Sequence, residues 1–421
     1  MQEEIIELPL LKKINNKTKY YTPKKNDKIL FIADNTDVLN FGCRGTSQAL
    51  MDIITSKGYI ISDRIRRNEL MSLFISTDIC DDVFQYISAV KNNDAIAYNN
   101  LLERIRNSDF LVLNGEGSFI FQDPPRHDML IMLLLLYACI EIEKPFLVLN
   151  AMFTGYAQGT PYEHPINDRT FIQTIAIFEH STLISARDKI SFDLIKDNQA
   201  NININYCPDA LFSWYDFYIS ESEKFEKILE NYPYCAVFND TSEDIIQFDK
   251  KYILMGGNSH AAHFPVQAEI CFTQLASMLK EMAKKNGIQL FIIECCVGDR
   301  ILRKVSKNTG ISLIPSETNI LLAGYILGKA ECFVSGRYHP SILASLGGTP
   351  CVYMGSNSHK TFSIQQVLGI PTDDQIVFDA LPDLNEIKSI VEAAEKNMKK
   401  PRNKMICQKN CQIVNNLFFL E

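Results

Sequence analysis

The sequence predicts an α/β protein of two doubly wound, Rossmann-like domains, and three observations carry that prediction. A length of 421 residues exceeds what one hydrophobic core usually supports, so two domains of about 200 residues each are expected. Short apolar runs alternate with stretches of helical length along the whole chain, the pattern of mostly parallel sheets covered on both faces. Glycines and polar side chains follow directly on those apolar runs, and the carboxyl ends of the strands are where open α/β sheets bind ligands.

In the first half the pattern predicts strands at Lys28 to Ala33, Phe110 to Asn114, Phe146 to Asn150, Leu183 to Ala186 and Ile204 to Cys207. Helices are expected at Gln48 to Lys57, Asn99 to Asn107, Asp128 to Glu143, Asp168 to His180 and Asp188 to Asp197. The second half repeats the scheme, with strands near Tyr234 to Phe238, Tyr252 to Met255, Gln289 to Glu294, Ile311 to Ile314, Glu331 to Val334 and Cys351 to Met354. Its helices fit Pro265 to Asn286, Thr318 to Leu327, Ser341 to Leu346 and Leu384 to Lys399. A charged segment with Glu221, Glu223, Lys224 and Glu226 places the boundary between Phe217 and Asn231. Residues 1–225 are thus expected as the first domain, 226–400 as the second, and 401–421 as a tail that crosses back onto the first.

Composition bounds the function. A net charge of −8 argues against a nucleic-acid binder, which normally carries a basic face. The longest apolar run, Met129 to Ile142, falls short of the roughly 20 residues a membrane span needs and is expected as a buried helix. The start Met1-Gln2-Glu3-Glu4 lacks the basic and apolar parts of a secretory signal, which points to the cytoplasm. The basic group Lys399, Lys400, Arg402 and Lys404 is expected as a solvated helix face and leaves open a touch on the inner face of a membrane. The 12 cysteines include no Cys-x-x-Cys pair, so no metal is expected and most should be small buried hydrophobes. The sequence carries no sign of the oligomeric state.

Chemistry-bearing residues fall at the predicted strand ends. Arg44 lies between Gly42 and Gly45 in a loop running to Ser47, ahead of a helix that Thr46 or Ser47 could cap; glycines and free amides suit an anion. The loop matches neither a dinucleotide fingerprint nor a P-loop, so no resident cofactor is expected. Glu116, held between Gly115 and Gly117 after an apolar strand, is a candidate general base; the alternative is a glycine turn with an exposed glutamate. Arg187 and Asp209 follow two further strands and are site candidates, whereas Asp188 is read as stabilising the start of its own helix. In the second half Gly256 and Gly257 lead to His260 and His263, expected on an exposed loop, while Glu294 and Asp299 flank a strand end. The densest cluster is Arg337, His339 and Lys360 around one short helix and one strand; His339 could donate a proton or grip a phosphate near neutrality.

Taken together, Asn40 to Gly45, Asn114 to Ser118, Ser185-Ala186-Arg187-Asp188, Pro208-Asp209-Ala210, Gly336-Arg337-Tyr338-His339 and Gly348-Thr349-Pro350 with Lys360 resemble the polysaccharide pyruvyl transferase family. The resemblance spans about Lys28 to Gly369 and implies a GT-B-like fold, two Rossmann-like domains facing a cleft. It implies transfer of pyruvate from phosphoenolpyruvate to two hydroxyls of a saccharide or lipid-linked oligosaccharide, giving a ketal in surface polysaccharide biosynthesis. On that reading Arg44, Arg337 and Lys360 hold the donor, with Arg187 a further donor-binding candidate. His339 would protonate the donor methylene, and Glu116 or Asp209 would activate the acceptor. The first loop, Phe41-Gly42-Cys43-Arg44-Gly45, and Glu116 depart from the family's usual pattern. His339-Pro340 with Ser356 and Ser358 also looks like the motifs by which bacterial sialyltransferases hold CMP, so a glycosyltransferase using a CMP-activated keto-sugar (Kdo or sialic acid) is the alternative. A non-catalytic carbohydrate-binding protein is the third reading.

Overall fold

A computed structural model describes residues 9–73, 80–155, 166–198, 201–231, 248 and 250–417. The chain divides into two compact units, Met1–Asp37 with Thr46–Ala210 and Ile413–Glu421, and Val38–Gly45 with Leu211–Gln412. The change of unit thus falls at Ala210, ahead of the charged segment, which forms the helices Tyr215–Ser220 and Ser222–Asn231. The strand expected at Tyr234 to Phe238 lies outside the described residues.

The first unit is built on β1 (Lys28–Asp34), β2 (Ile60–Arg66), β3 (Phe110–Asn114), β5 (Phe146–Ala151), β7 (Leu183–Ala186) and β8 (Ile204–Tyr206). They form one sheet in the order β2-β1-β3-β5-β7-β8, and every pair is parallel. A small parallel pair, β4 (Phe119–Ile120) with β6 (Phe153–Thr154), sits beside it. The central strands are covered on both faces, which is why β3 and β5 read as unbroken apolar runs. β2 escaped the sequence reading because it is an edge strand: only Ile65 is fully covered, and Asp63, Arg64 and Arg66 stand among its other residues. The apolar run at Met129 is part of the helix His127–Glu141, whose residues from Asp128 to Cys139 are all buried.

The second unit carries β9 (Tyr252–Asn258), β10 (Gln289–Ile293), β11 (Leu313–Ile314), β12 (Cys332–Gly336), β13 (Cys351–Met354) and β14 (Val377–Phe378). Its order is β11-β10-β9-β12-β13-β14, again wholly parallel. In both sheets the chain reverses its direction of travel once, between β1 and β3 and between β9 and β12. Those two switch points are the places where an open α/β sheet leaves a crevice.

Four local expectations are corrected. The glycine loop is the start of a helix, Phe41–Ser56, not a lead-in to one at Gln48. Asn40 caps it: its Oδ1 accepts from Cys43 N at 3.2 Å and its carbonyl from Arg44 N at 3.0 Å. The helix Tyr338–Leu346 begins three residues before the expected Ser341, and Lys360 opens the helix Lys360–Val367 rather than standing on a loop. Arg402, expected on a solvated face, donates to the carbonyls of Gly328, Lys329 and Ala330 at 2.6–2.9 Å. It thereby serves the exposed carbonyl end of the helix Ile320–Lys329, where a cation is favoured.

Candidate functional site

In the first unit the switch point between β1 and β3 carries a polar cluster on unusual backbone. Ala33, Glu116 and Asn150 are left-handed, with φ of 61°, 39° and 56°, and they stand at the carboxyl ends of three neighbouring strands. Each costs roughly 1 kcal/mol or more for a residue with a Cβ. Glu116 is 4% exposed, which removes the exposed-turn alternative. Its Oε1 accepts from Asn35 Nδ2 at 2.8 Å and from Asn114 Nδ2 at 3.1 Å. Ser47, expected as a cap, instead ties the cluster together by accepting from Asn35 N at 3.0 Å and Asn114 Nδ2 at 3.1 Å. Gly115 is required by packing, since a Cβ there would lie 2.6 Å from that of Ala151; Gly117 closes the same turn.

Arg187 and Asp209 come together in the same unit. Arg187 Nη1 lies 3.3 Å from Asp209 Oδ2, and the two side chains are 1% and 0% exposed. Asn150 completes the set: its Nδ2 donates to Asp209 Oδ2 at 3.3 Å and its Oδ1 accepts from Ala210 N at 2.9 Å. Asp188 does cap its own helix, accepting from Ser191 N at 2.8 Å.

In the second unit Arg337 follows β12 directly, beside the switch point, and is held by Asp299. Its Nη2 and Nε lie 2.6 and 3.1 Å from Asp299 Oδ1, with 16% of the arginine side chain exposed and none of the aspartate's. Burial weighs on the guanidinium, yet the Asp299 carboxylate prevails and keeps it charged; burial also pushes the Asp299 carboxyl up, with Arg337 pulling back. Gly257 lies inside β9, not on a loop after it, and a Cβ there would fall 2.2 Å from Asp299 Oδ1. Gly256 lies in the same strand with Ser335 Oγ 2.9 Å from where its Cβ would be. Glu294 is spoken for by Arg303, at 2.5 and 2.9 Å, and by Ser316 at 2.6 Å.

His339 stands in the first turn of its helix, half-buried, with its ring against Gly42: a Cβ on Gly42 would lie 2.2 Å from Nδ1. Gly45 faces Leu211 at 2.7 Å in the same sense, so both glycines serve close packing within this unit. The helix start they belong to is not an open anion cradle, because Phe41 N donates to Cys295 O at 2.9 Å and Cys43 N to Asn40. Arg44 is half-buried and donates from Nε to Val38 O at 2.7 Å; burial lowers its pKa, against the pull of Glu317.

Beyond β13, Ser356 Oγ lies 2.8 Å from Ser259 Oγ, while Lys360 Nζ reaches Asn357 Oδ1 at 3.0 Å; Ser358 is buried beside them in sequence. His260 is buried against Phe264, ring centroids 5.2 Å apart, rather than exposed. Among the described residues no group of three or more His, Cys, Asp or Glu side chains is placed to hold a metal ion, and burial pushes the thiols of Cys139, Cys207 and Cys407 up, that of Cys407 to about 11.

The fold these sites stand on is known from sugar-nucleotide enzymes. A UDP-GlcNAc 2-epimerase from Neisseria meningitidis, solved with UDP-GlcNAc, is 13% identical, with 92% of this chain and 98% of that chain covered at a TM-score of 0.55. The Methanocaldococcus jannaschii UDP-GlcNAc 2-epimerase is 10% identical over 92% and 97% of the two chains, TM-score 0.53. A putative UDP-N-acetylglucosamine 2-epimerase from Listeria monocytogenes is 12% identical over 93% and 92%, TM-score 0.51. At such identities the likeness defines a class, the GT-B-like proteins with two Rossmann-like domains.

The sequence places the chain more narrowly. It matches the family described as polysaccharide pyruvyl transferase over residues 8–358, and the chain belongs to that family. Membership makes it a transferase of polysaccharide biosynthesis with a saccharide substrate. Every candidate residue named above lies within the matched range except Lys360, just past its end.

Proposed function

We propose that the protein transfers a pyruvyl group from phosphoenolpyruvate to two hydroxyls of a saccharide, free or lipid-linked, forming a ketal in the cytoplasm. The observation that carries the reading is His339, a half-buried imidazole in the first turn of a helix, two residues after an arginine that stays charged beside a switch point. A proton from His339 to the donor's methylene carbon makes the methyl group and leaves cationic character on the adjacent carbon. The first sugar hydroxyl adds there, the bond to the phosphate oxygen breaks, and the second hydroxyl closes the ketal. Of the two hydroxyl protons released, one restores the imidazole and the other leaves with inorganic phosphate.

Arg337, Arg44 and Lys360 are assigned to the donor's phosphate and carboxylate, where positioned cations contribute much of the rate. For the base that activates the acceptor, Asp209 is already bound to Arg187, whereas Glu116 has one oxygen engaged by amides. Glu116 is therefore our candidate.

Ligand-induced thermal stabilisation tests the reading. A donor at 100 times its dissociation constant should add about 2.7 kcal/mol to folding stability. Phosphoenolpyruvate is expected to stabilise the wild type and to lose that effect in His339→Ala. Stabilisation by CMP alone would replace this reading with a CMP-keto-sugar transferase, in which Ser356 and Ser358 hold the nucleotide; stabilisation by neither would favour a carbohydrate-binding protein without turnover.

A further inference from the structure

The polar cluster at the first unit's switch point holds more than a carboxylate. Asn35 and Asn114 are 1% and 0% exposed, and the Oδ1 of each is buried with no hydrogen-bond partner among the described residues. Each oxygen shares its carbon with the Nδ2 that donates to Glu116, so both lie beside that carboxylate. A buried acceptor left unmade costs free energy, and native proteins keep few of them. Here two stand together, next to a glutamate in left-handed backbone and at the ends of the two neighbouring strands that flank the switch point. Strain and unmet hydrogen bonds at one place mark a site built for a ligand.

We propose that this cluster is a hydroxyl-recognising subsite for a neutral saccharide, in which Asn35 and Asn114 are positioning residues for Glu116. The groups it presents are acceptors: two amide oxygens and the second carboxylate oxygen, which takes no hydrogen bond from the described residues. Acceptors suit the O–H donors of a sugar diol and repel a phosphate or carboxylate. The two amide donors fix Glu116 Oε1 from different strand ends, leaving the other oxygen in one defined place. As the acceptor subsite of the transferase this deepens the function proposed above and rests on it, but saccharide binding by the cluster can be measured without any donor.

The test uses the full chain and the methyl glycosides of glucose, galactose and mannose, each at tens of millimolar, with melting temperature as the readout. At least one glycoside is expected to raise the melting temperature of the wild type. That response should weaken tenfold or more in Asn114→Leu and Glu116→Gln while any response to phosphoenolpyruvate is kept. Glu116→Gly supplies a second arm: a subsite strained for binding predicts a higher melting temperature without ligand and no glycoside response, since glycine accepts the left-handed backbone. A wild type that answers to none of the glycosides, or glycoside binding that survives in both Asn114→Leu and Glu116→Gln, would overturn the proposal. So would a Glu116→Gly protein that melts lower, because that is what a purely structural hub predicts. If glycosides bind and phosphoenolpyruvate does not, the donor assignment fails and the subsite stands.

Discussion

Each unit of the molecule places an arginine directly after a strand and pairs it with a buried aspartate, and the two pairs differ in one respect. Arg187 and Asp209 are sealed, at 1% and 0% exposed, while Arg337 keeps 16% of its side chain in contact with solvent over a fully buried Asp299. The segments around them are alike as well, Ser185-Ala186-Arg187 and Ser335-Gly336-Arg337. The difference teaches that the same sequence grammar serves two ends. A closed pair fixes the loops at strand ends, whereas an arginine that is held from one side can offer its remaining donors to an anion.

The comparison can be broken most decisively at the chemistry. His339→Asn should cut pyruvyl transfer about 100- to 10,000-fold, the usual worth of a positioned general acid, with little change in stability. Initial rates of phosphate release measure it, and an unchanged rate would remove the second unit's claim to the donor. Next in size, Asp209→Ala strands the buried Arg187 charge and should cost about 3–5 kcal/mol in urea denaturation. Asp299→Ala should cost less, roughly 1–3 kcal/mol, because Arg337 can turn towards water; equal losses at the two sites would erase the distinction drawn here. Arg402→Ala, which strips the carbonyl end of the helix Ile320–Lys329, is expected to cost about 1 kcal/mol.

The smallest expected effect lies away from both pairs, on the edge strand β2. There the Arg104 side chain, hydrogen-bonded at 2.6 and 2.9 Å, holds the Asp63 carboxyl below the usual range. A carboxyl whose folded pKa is depressed contributes stability above its unfolded pKa, near 3.9, and loses it as pH falls through the folded value. Both side chains are partly exposed, so solvent screening keeps the contribution to tenths of a kcal/mol. Arg104→Leu should flatten that part of the acid limb of a stability profile, and an unaltered limb would show the pair to be inert.

Much of the fold was legible because buried parallel strands announce themselves as apolar runs: β3, β7 and β13 fall where the sequence put them. The edge strand β2 was not legible, since one face of it is wet. The helix starts at Phe41 and Tyr338 were hidden for a different reason. Gly42, Gly45 and Pro340 weaken helix propensity locally, and the contacts that justify them, such as Gly42 against His339, are made far along the chain. Asn40 ahead of an apolar residue was the cap signal that could have revealed the first start.

Among site residues, Arg337, His339 and Glu116 stood out by spacing alone. Asn35 did not, because its partner Glu116 is 81 positions away, and Asp299 reads in the sequence only as flanking a strand end, because the arginine it holds lies 38 positions on. Arg187 and Arg337 follow strands in like segments, and the exposure that separates the two pairs could not be read from those segments.

The central claim is that a pyruvyl group moves from phosphoenolpyruvate to a sugar diol, with a proton placed on the donor's methylene carbon. Mass spectrometry of saccharides incubated with the enzyme and phosphoenolpyruvate in deuterium oxide tests it most directly. The account predicts a ketal whose methyl group carries one solvent-derived deuterium, formed with release of inorganic phosphate and absent with His339→Asn. A product that forms only from a CMP-activated keto-sugar, with phosphoenolpyruvate left intact, would contradict it.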